Sequence, residues 1–444
     1  MALIGFQNLA QSRRSVAWVD MDDLLELISL SLPSRPRYCL CLLSCSLFIA
    51  ATPLNALAKE TPVPPNSVSP EVSMRRGEIQ TVEASLAKIA DRGAALFFLA
   101  RRYAQLGDLD KALSLLKECI ALDQGFDPGE LPQFEALRAN SEFQAMVEEV
   151  RRRYPPIHQA HVAFTVSEND LFPEGLGVDP ELHVLYMGSV KQKIIKISED
   201  GKASDFVTPG AYRFPELNGI KVDPKDHGLW VASADDHNSE LLRFDSQGKL
   251  LGHFPPPAGG RHALNDLVLH GSDEVYVTDT WSHKVYRFDS TKNTFTPLSF
   301  HRPVLYPNGI ALSDNGRFLY VADILGVILV DLANNRTREV DPGEHSTLAG
   351  IDGLYWYKGS LVGVQYGNGP YRVARWRLSP DGLKVVSTGV FEYRTPLISF
   401  PTTGAILGGK FYFIANTGID NYKDGKVVDP SKLAPINIAV VALE

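Results

Sequence analysis

The sequence predicts an all-β six-bladed propeller preceded by a small α-helical domain, and three observations carry that expectation. A unit of short strands recurs six times at near-constant spacing over about the last three-fifths of the chain. Ahead of it the hydrophobic pattern has helical period. The composition, 44% hydrophobic and 22% charged over 444 residues, is that of a globular protein too long for one core.

The first 58 residues read as a leader. Arg35 and Arg37 precede the apolar run YCLCLLSCSLFIAA at 38–51, and Ala56-Leu57-Ala58 follows. A positive segment, a short apolar core and an A-x-A end predict a signal peptide cleaved near Ala58, and hence an exported, periplasmic or secreted protein. The run is short for a bilayer, so no transmembrane span is expected. Cys45, after Leu42-Leu43-Ser44, is a weaker lipidation candidate because the apolar run continues past it. The length before Arg35 suggests a start downstream of Met1, with Met21 one alternative. Three of the four cysteines lie in this leader, which leaves Cys119 alone and predicts no internal disulfide or multi-cysteine zinc site. The net charge of −8, with no basic run longer than Arg151-Arg152-Arg153 beyond the N-terminus, argues against nucleic acid as a partner.

Residues 59–77, with ETPVPPNSVSP, are rich in Pro and Ser and read as a linker. From 78 to 156 the period becomes helical. Ala95, Leu99, Ala100 and Tyr103 fall on one face, Gly107-Asp108 breaks the run, and Ala112, Leu113, Leu116 and Ile120 resume it. The stretch 94–128 (AALFFLARRYAQLGDLDKALSLLKECIALDQGFDP) resembles a single tetratricopeptide repeat. Phe134, Leu137, Phe143, Met146 and Val150 predict a further helix pair. One such unit cannot bury its own face. It is therefore expected either to cap the rest of the chain or to offer a docking surface to a protein partner.

The propeller is expected over 157–444. Its repeats open at Glu174-Gly175, Asn218-Gly219, Asn265-Asp266, Asn308-Gly309, Asp352-Gly353 and Thr403-Gly404, at spacings of 44, 47, 43, 44 and 51 residues. Each runs apolar strand, Asp/Gly-rich turn, second strand, loop and third strand, the content of a blade. Strand-like pieces at 162–166 and 436–443 are expected to share one blade and so close the ring without an open edge.

A residue just before an innermost strand stands at the mouth of the central channel. Those positions are Glu174, Asn218, Asn265, Asn308, Asp352 and Thr402 or Thr403, and every one bears an oxygen. Asn-Gly and Asp-Gly are also ordinary tight turns. Here, however, they precede a strand rather than join a hairpin. Carboxylates and amides without His or Cys suit a hard cation, above all Ca²⁺; Mg²⁺ and Mn²⁺ fit the same donors.

These residues carry a resemblance. Pro173-Glu174-Gly175, Leu264-Asn265-Asp266, Pro307-Asn308-Gly309 with Leu319-Tyr320-Val321-Ala322-Asp323, and Ile351-Asp352-Gly353 make the chain similar to the gluconolactonase/regucalcin (senescence marker protein) family and to the related paraoxonases. The resemblance implies a metal-dependent hydrolase of lactones or esters. It places the metal on Glu174, Asn265, Asn308 and Asp352, with Asp352 also the catalytic base. Expected substrate-binding residues are Asn218, Arg261, His262 and Tyr366; His283, Trp281 and Tyr306 stand in comparable places but also suit ordinary packing. The chain departs from the pattern in three ways. Asn218 stands where paraoxonases carry a catalytic histidine, Gly175 where they carry an acidic ligand of a second calcium, and Ala263 where gluconolactonases often have a sugar-binding arginine. A metal-stabilised propeller acting as a binding scaffold is the rival expectation. Strictosidine-synthase-like chemistry on the same architecture is a distant third.

Overall fold

The computed structural model describes residues 69–444, apart from Asn368, Pro370 and Asp424. The leader and its cleavage site therefore lie outside the described residues. Among the described residues no helix is long and apolar enough to cross a membrane.

Four helices come first: α1 (Pro70–Ser85), α2 (Arg92–Gln105), α3 (Leu109–Ala121) and α4 (Ser141–Arg153). Helix α1 begins inside the stretch read as linker, because Ser69 accepts from Val72 N–H at 3.3 Å and Pro70 fills the first turn. Asp91, Asp108 and Asn140 cap the other three. Gly107, at φ 81°, turns α2 back along α3. Helix α2 is buried almost all round, from Gly93 to Arg102, as a helix enclosed by neighbours must be. One side packs on α3. The core that encloses it runs on into Leu305, Ile324, Leu325 and Ala349 of the propeller. The apolar face that the sequence offered to a partner is thus used within the chain.

Six blades follow, each an antiparallel sheet with its first strand innermost. The innermost strands are Pro173–Asp179, Leu217–Val222, Leu264–His270, Ile310–Leu312, Ile351–Tyr357 and Gly404–Leu407. Blades 1 to 5 have a fourth strand that the sequence did not announce; Ala203–Val207 and Arg336–Glu339 are examples that are short, polar and largely exposed. Blade 6 takes Ile436–Ala442 as its third strand and His161–Val166 as its outermost, so both ends of the repeat array meet there. Ile157–His158 adds a fifth strand to the outside of blade 5.

Candidate metal centre

In blades 1, 2, 3 and 5 the ladder between the first two strands slips by a bulge, and the bulge spans the opening dipeptide each time. The shifts fall between Pro173 and Leu176, Leu217 and Ile220, Leu264 and Leu267, and Ile351 and Leu354. A bulge re-aims the side chain it contains. The glycine beside it has a second cause. A Cβ on Gly175 would lie 1.6 Å from the Asn218 carbonyl oxygen, on Gly219 2.7 Å from that of Asn265, and on Gly309 2.4 Å from that of Asp352. None of these three has positive φ. They let neighbouring innermost strands touch backbone to backbone and do not form turns.

This close approach gathers the channel residues into one buried ring. Glu174, Asn218, Asn265, Asn308 and Asp352 are all buried, and Thr402 and Thr403 complete the circle by donating to the Glu174 carbonyl at 3.0 and 2.6 Å. The amide nitrogens are directed outward or sideways. Asn218 Nδ2 donates to Leu264 O at 2.8 Å, Asn265 Nδ2 to Thr280 Oγ1 at 3.1 Å, and Asn308 Nδ2 to Asp352 Oδ1 at 2.5 Å. Thr280 in turn donates to Pro307 O at 2.7 Å and joins blade 3 to blade 4.

The ring is electrostatically unbalanced. Burial pushes the Asp352 carboxyl well above the usual carboxylate range; the Glu174 charge and, more weakly, that of Asp266 push the same way, against the Asn308 hydrogen bond. Lys221 lies 2.9 Å from Asp266 Oδ1 and over the Tyr355 ring, so it neutralises Asp266 and leaves the Glu174–Asp352 pair. Asn308 Oδ1 is buried and accepts no hydrogen bond from any of the described residues. Buried carboxylates in mutual repulsion beside an unsatisfied amide oxygen are chemistry that a hard cation fits. Among the described residues no group of three or more His, Cys, Asp or Glu suits a metal, so a centre here depends on the amide oxygens.

The expected substrate residues separate into two groups. Asn218 lies in the ring. Tyr366 lines, with Asn308, Asp352, Tyr306 and Ile324, a cavity of about 10 Å³, and it stacks on Tyr371. Arg261 and His262 each have local partners: Arg261 is exposed over the Trp281 ring, 3.4 Å from Asp236, and His262 lies between Asp279 (2.5 Å) and the Gly259 carbonyl (3.0 Å). Burial lowers the pKa of His283, whose Nδ1 accepts from Tyr306 N–H at 3.0 Å. The opposite mouth of the channel is a cavity of about 390 Å³ walled by Leu176, Leu269, Leu354, Trp356 and Ile406, with Lys221 its charged member.

One regularity was not anticipated. The residue two places before the channel side chain has a left-handed backbone in four blades: Phe172 (φ 47°), Tyr306 (52°), Gly350 (65°) and Phe400 (59°). For a bulky side chain this costs on the order of 1–3 kcal/mol and persists only where the surroundings enforce it. The signal was present as a repeated aromatic-proline pair, Phe172-Pro173, Tyr306-Pro307 and Phe400-Pro401.

No protein-family model and no curated protein matches this chain. Solved structures do. A gluconolactonase of Xanthomonas campestris is 15% identical, with a TM-score of 0.45, over 66% of this chain and 98% of that one. A calcium-binding protein, regucalcin, from Agrobacterium tumefaciens is 17% identical, with a TM-score of 0.45, over 63% and 94%. Virginiamycin B lyase from Staphylococcus aureus is 16% identical, with a TM-score of 0.43, over 58% and 82%.

Proposed function

We propose that this chain is a divalent-cation-dependent hydrolase of lactones or esters, with Ca²⁺ held by Glu174, Asn265, Asn308 and Asp352. The observation that carries the reading is the buried ring itself, with a Glu174–Asp352 pair that repels and an Asn308 Oδ1 that accepts no hydrogen bond from any of the described residues. Held by these residues, a hard cation would supply the charge to polarise a substrate carbonyl. Burial and the Glu174 charge raise the pKa of Asp352, the direction that suits a proton acceptor, and Asn308 Nδ2 fixes its orientation. Its carboxylate takes the proton of the attacking water. Asn218, in the ring, and Tyr366, beside Asn308 and Asp352, are the proposed substrate contacts. Export after cleavage near Ala58, and a tetratricopeptide-like identity for the α2–α3 hairpin, belong to the same reading.

The test is a panel of aliphatic, aromatic and sugar lactones and simple esters, assayed with Ca²⁺ and with chelator. Calcium-dependent turnover that collapses in Asp352→Asn supports the proposal. No hydrolysis of any member favours the scaffold instead. That second reading has an observation of its own: the cavity against Asn308 and Asp352, about 10 Å³, holds one ion or water and no lactone ring.

A further inference from the structure

Tyr306 is held from outside the propeller. Its hydroxyl donates to the Glu78 carboxylate of α1, and Glu78 is paired at 2.5 Å with Arg102 of α2. Both members of that pair are buried. On the inner side the Tyr306 N–H donates to His283 Nδ1, and the two rings meet edge to face at 4.6 Å. Only Pro307 separates Tyr306 from Asn308. Proline has a fixed φ, so the left-handed twist at Tyr306 is passed on with little slack to the backbone that aims Asn308. The same module also grips blade 5, where Thr347 Oγ1 and Leu348 N–H donate to Asp91 at 2.6 and 3.0 Å and Arg101 donates to the Gly367 carbonyl at 2.9 Å. The loops entering Asn308 and Asp352 are thus both fastened to the helices.

We infer that Glu78 is a positioning residue for the channel cation, acting through Tyr306 on Asn308. The inference rests on the cation reading above and adds to it a role for the helical module: residues far from the ring in sequence set the geometry of one of its ligands. Groups that orient a ligand typically change metal affinity by about 10- to 100-fold when removed.

Calorimetric titration of the folded chain with Ca²⁺ alone, compared across Tyr306→Phe, Glu78→Gln and the double variant, tests this. Each single variant is expected to raise the Kd about 10-fold. The double variant should be no worse than either single one, because both remove the same strut. A merely structural contact predicts a lower melting temperature in chelator with the parental Kd. Parental affinity in both variants, or fully additive losses, overturns the positioning role and leaves the cation site standing. A parental chain that binds no divalent cation overturns both proposals together. Should Tyr306→Phe fail to fold by circular dichroism, Glu78→Gln carries the same comparison alone.

Discussion

Replacing Asp352 by Asn should change the sign of a stability effect, and this gives the sharpest test of the ring. In chelator the parental Asp352 is a buried carboxylate facing Glu174 and Asp266, and its pKa is raised well above 3.8. A group whose pKa is raised on folding adds stability that is full below its unfolded pKa. That stability is lost as pH rises through the folded value. The cation-free parent should therefore melt at progressively lower temperature as pH is raised from about 4. Asp91 contributes with the same sign, because burial lifts it to about 6, so the difference between parent and Asp352→Asn is the quantity to measure. That difference isolates Asp352. The Asn side chain can still accept from Asn308 Nδ2 but carries no charge, so in chelator at pH 8 the variant should be the more stable protein. With Ca²⁺ the order should invert. A ligand at 100 times its Kd stabilises the folded state by about 2.7 kcal/mol, or roughly 3 °C for a chain of this size; the parent should gain this and the variant little. Hydrolysis should fall about 100-fold or more, the scale of general-base assistance. Scanning calorimetry at several pH values, with and without chelator, gives every number. An Asp352→Asn protein that is less stable than the parent in chelator at pH 8 would refute the claim of an unbalanced acidic ring.

Arg302 is fully buried, 2.5 Å from Asp323 and 2.8 Å from Glu339, so Arg302→Met strands two carboxylates and should cost about 3–5 kcal/mol in urea unfolding. Gly175→Ala drives a methyl into the Asn218 carbonyl and should lower stability by at least about 1–3 kcal/mol. Gly77→Ala, in exposed helix with open space around it, should raise stability by about 0.5–1 kcal/mol; the pair makes one thermal-melt comparison. The Cys119 thiol is buried with its pKa pushed well up, so Ellman's reagent should titrate it only after denaturation.

The blade count and the residues of the ring were legible because they repeat. Every innermost strand is entered through an oxygen-bearing residue, followed in five of the six blades by glycine and in blade 3 by Asp266, and the pair recurs about every 45 residues. The outer strands were not legible. Thr294–Pro297 and Arg336–Glu339 face water, have no apolar alternation, and are recruited only by a free edge on the strand before them. The start of α1 was hidden for a different reason: its first turns carry little apolar periodicity, and the capping signal of Ser69 and Pro70 sits at the end of a proline-rich run that reads as linker. Within the site, the partners of the amide nitrogens, Thr280 and Leu264 O, could not be read from a sequence, since they depend on which blades become neighbours. The local partners of Arg261 and His262, the Trp281 ring and the Asp279 carboxylate, were likewise not readable from the sequence.

The helices and the ring are joined where the chain closes on itself. After α4 the chain pairs Ile157 with Tyr393 on blade 5 and, four residues later, begins to pair with Ile436–Ala442 on blade 6. Glu392, wholly buried, gathers the crossing, accepting from Gln159 N–H at 3.3 Å and Ala160 N–H at 3.2 Å and meeting His158 Nδ1 at 2.9 Å. The exit of the helical module is therefore tied to two blades at once. Its other contacts fall on blade 4 through Tyr306 and on blade 5 through Thr347 and Gly367. A module fastened at both places cannot shift without moving the loops before Asn308 and Asp352. Ring closure and the placing of the channel residues Asn308 and Asp352 are one mechanical problem in this fold, and the N-terminal helices touch both ends of it.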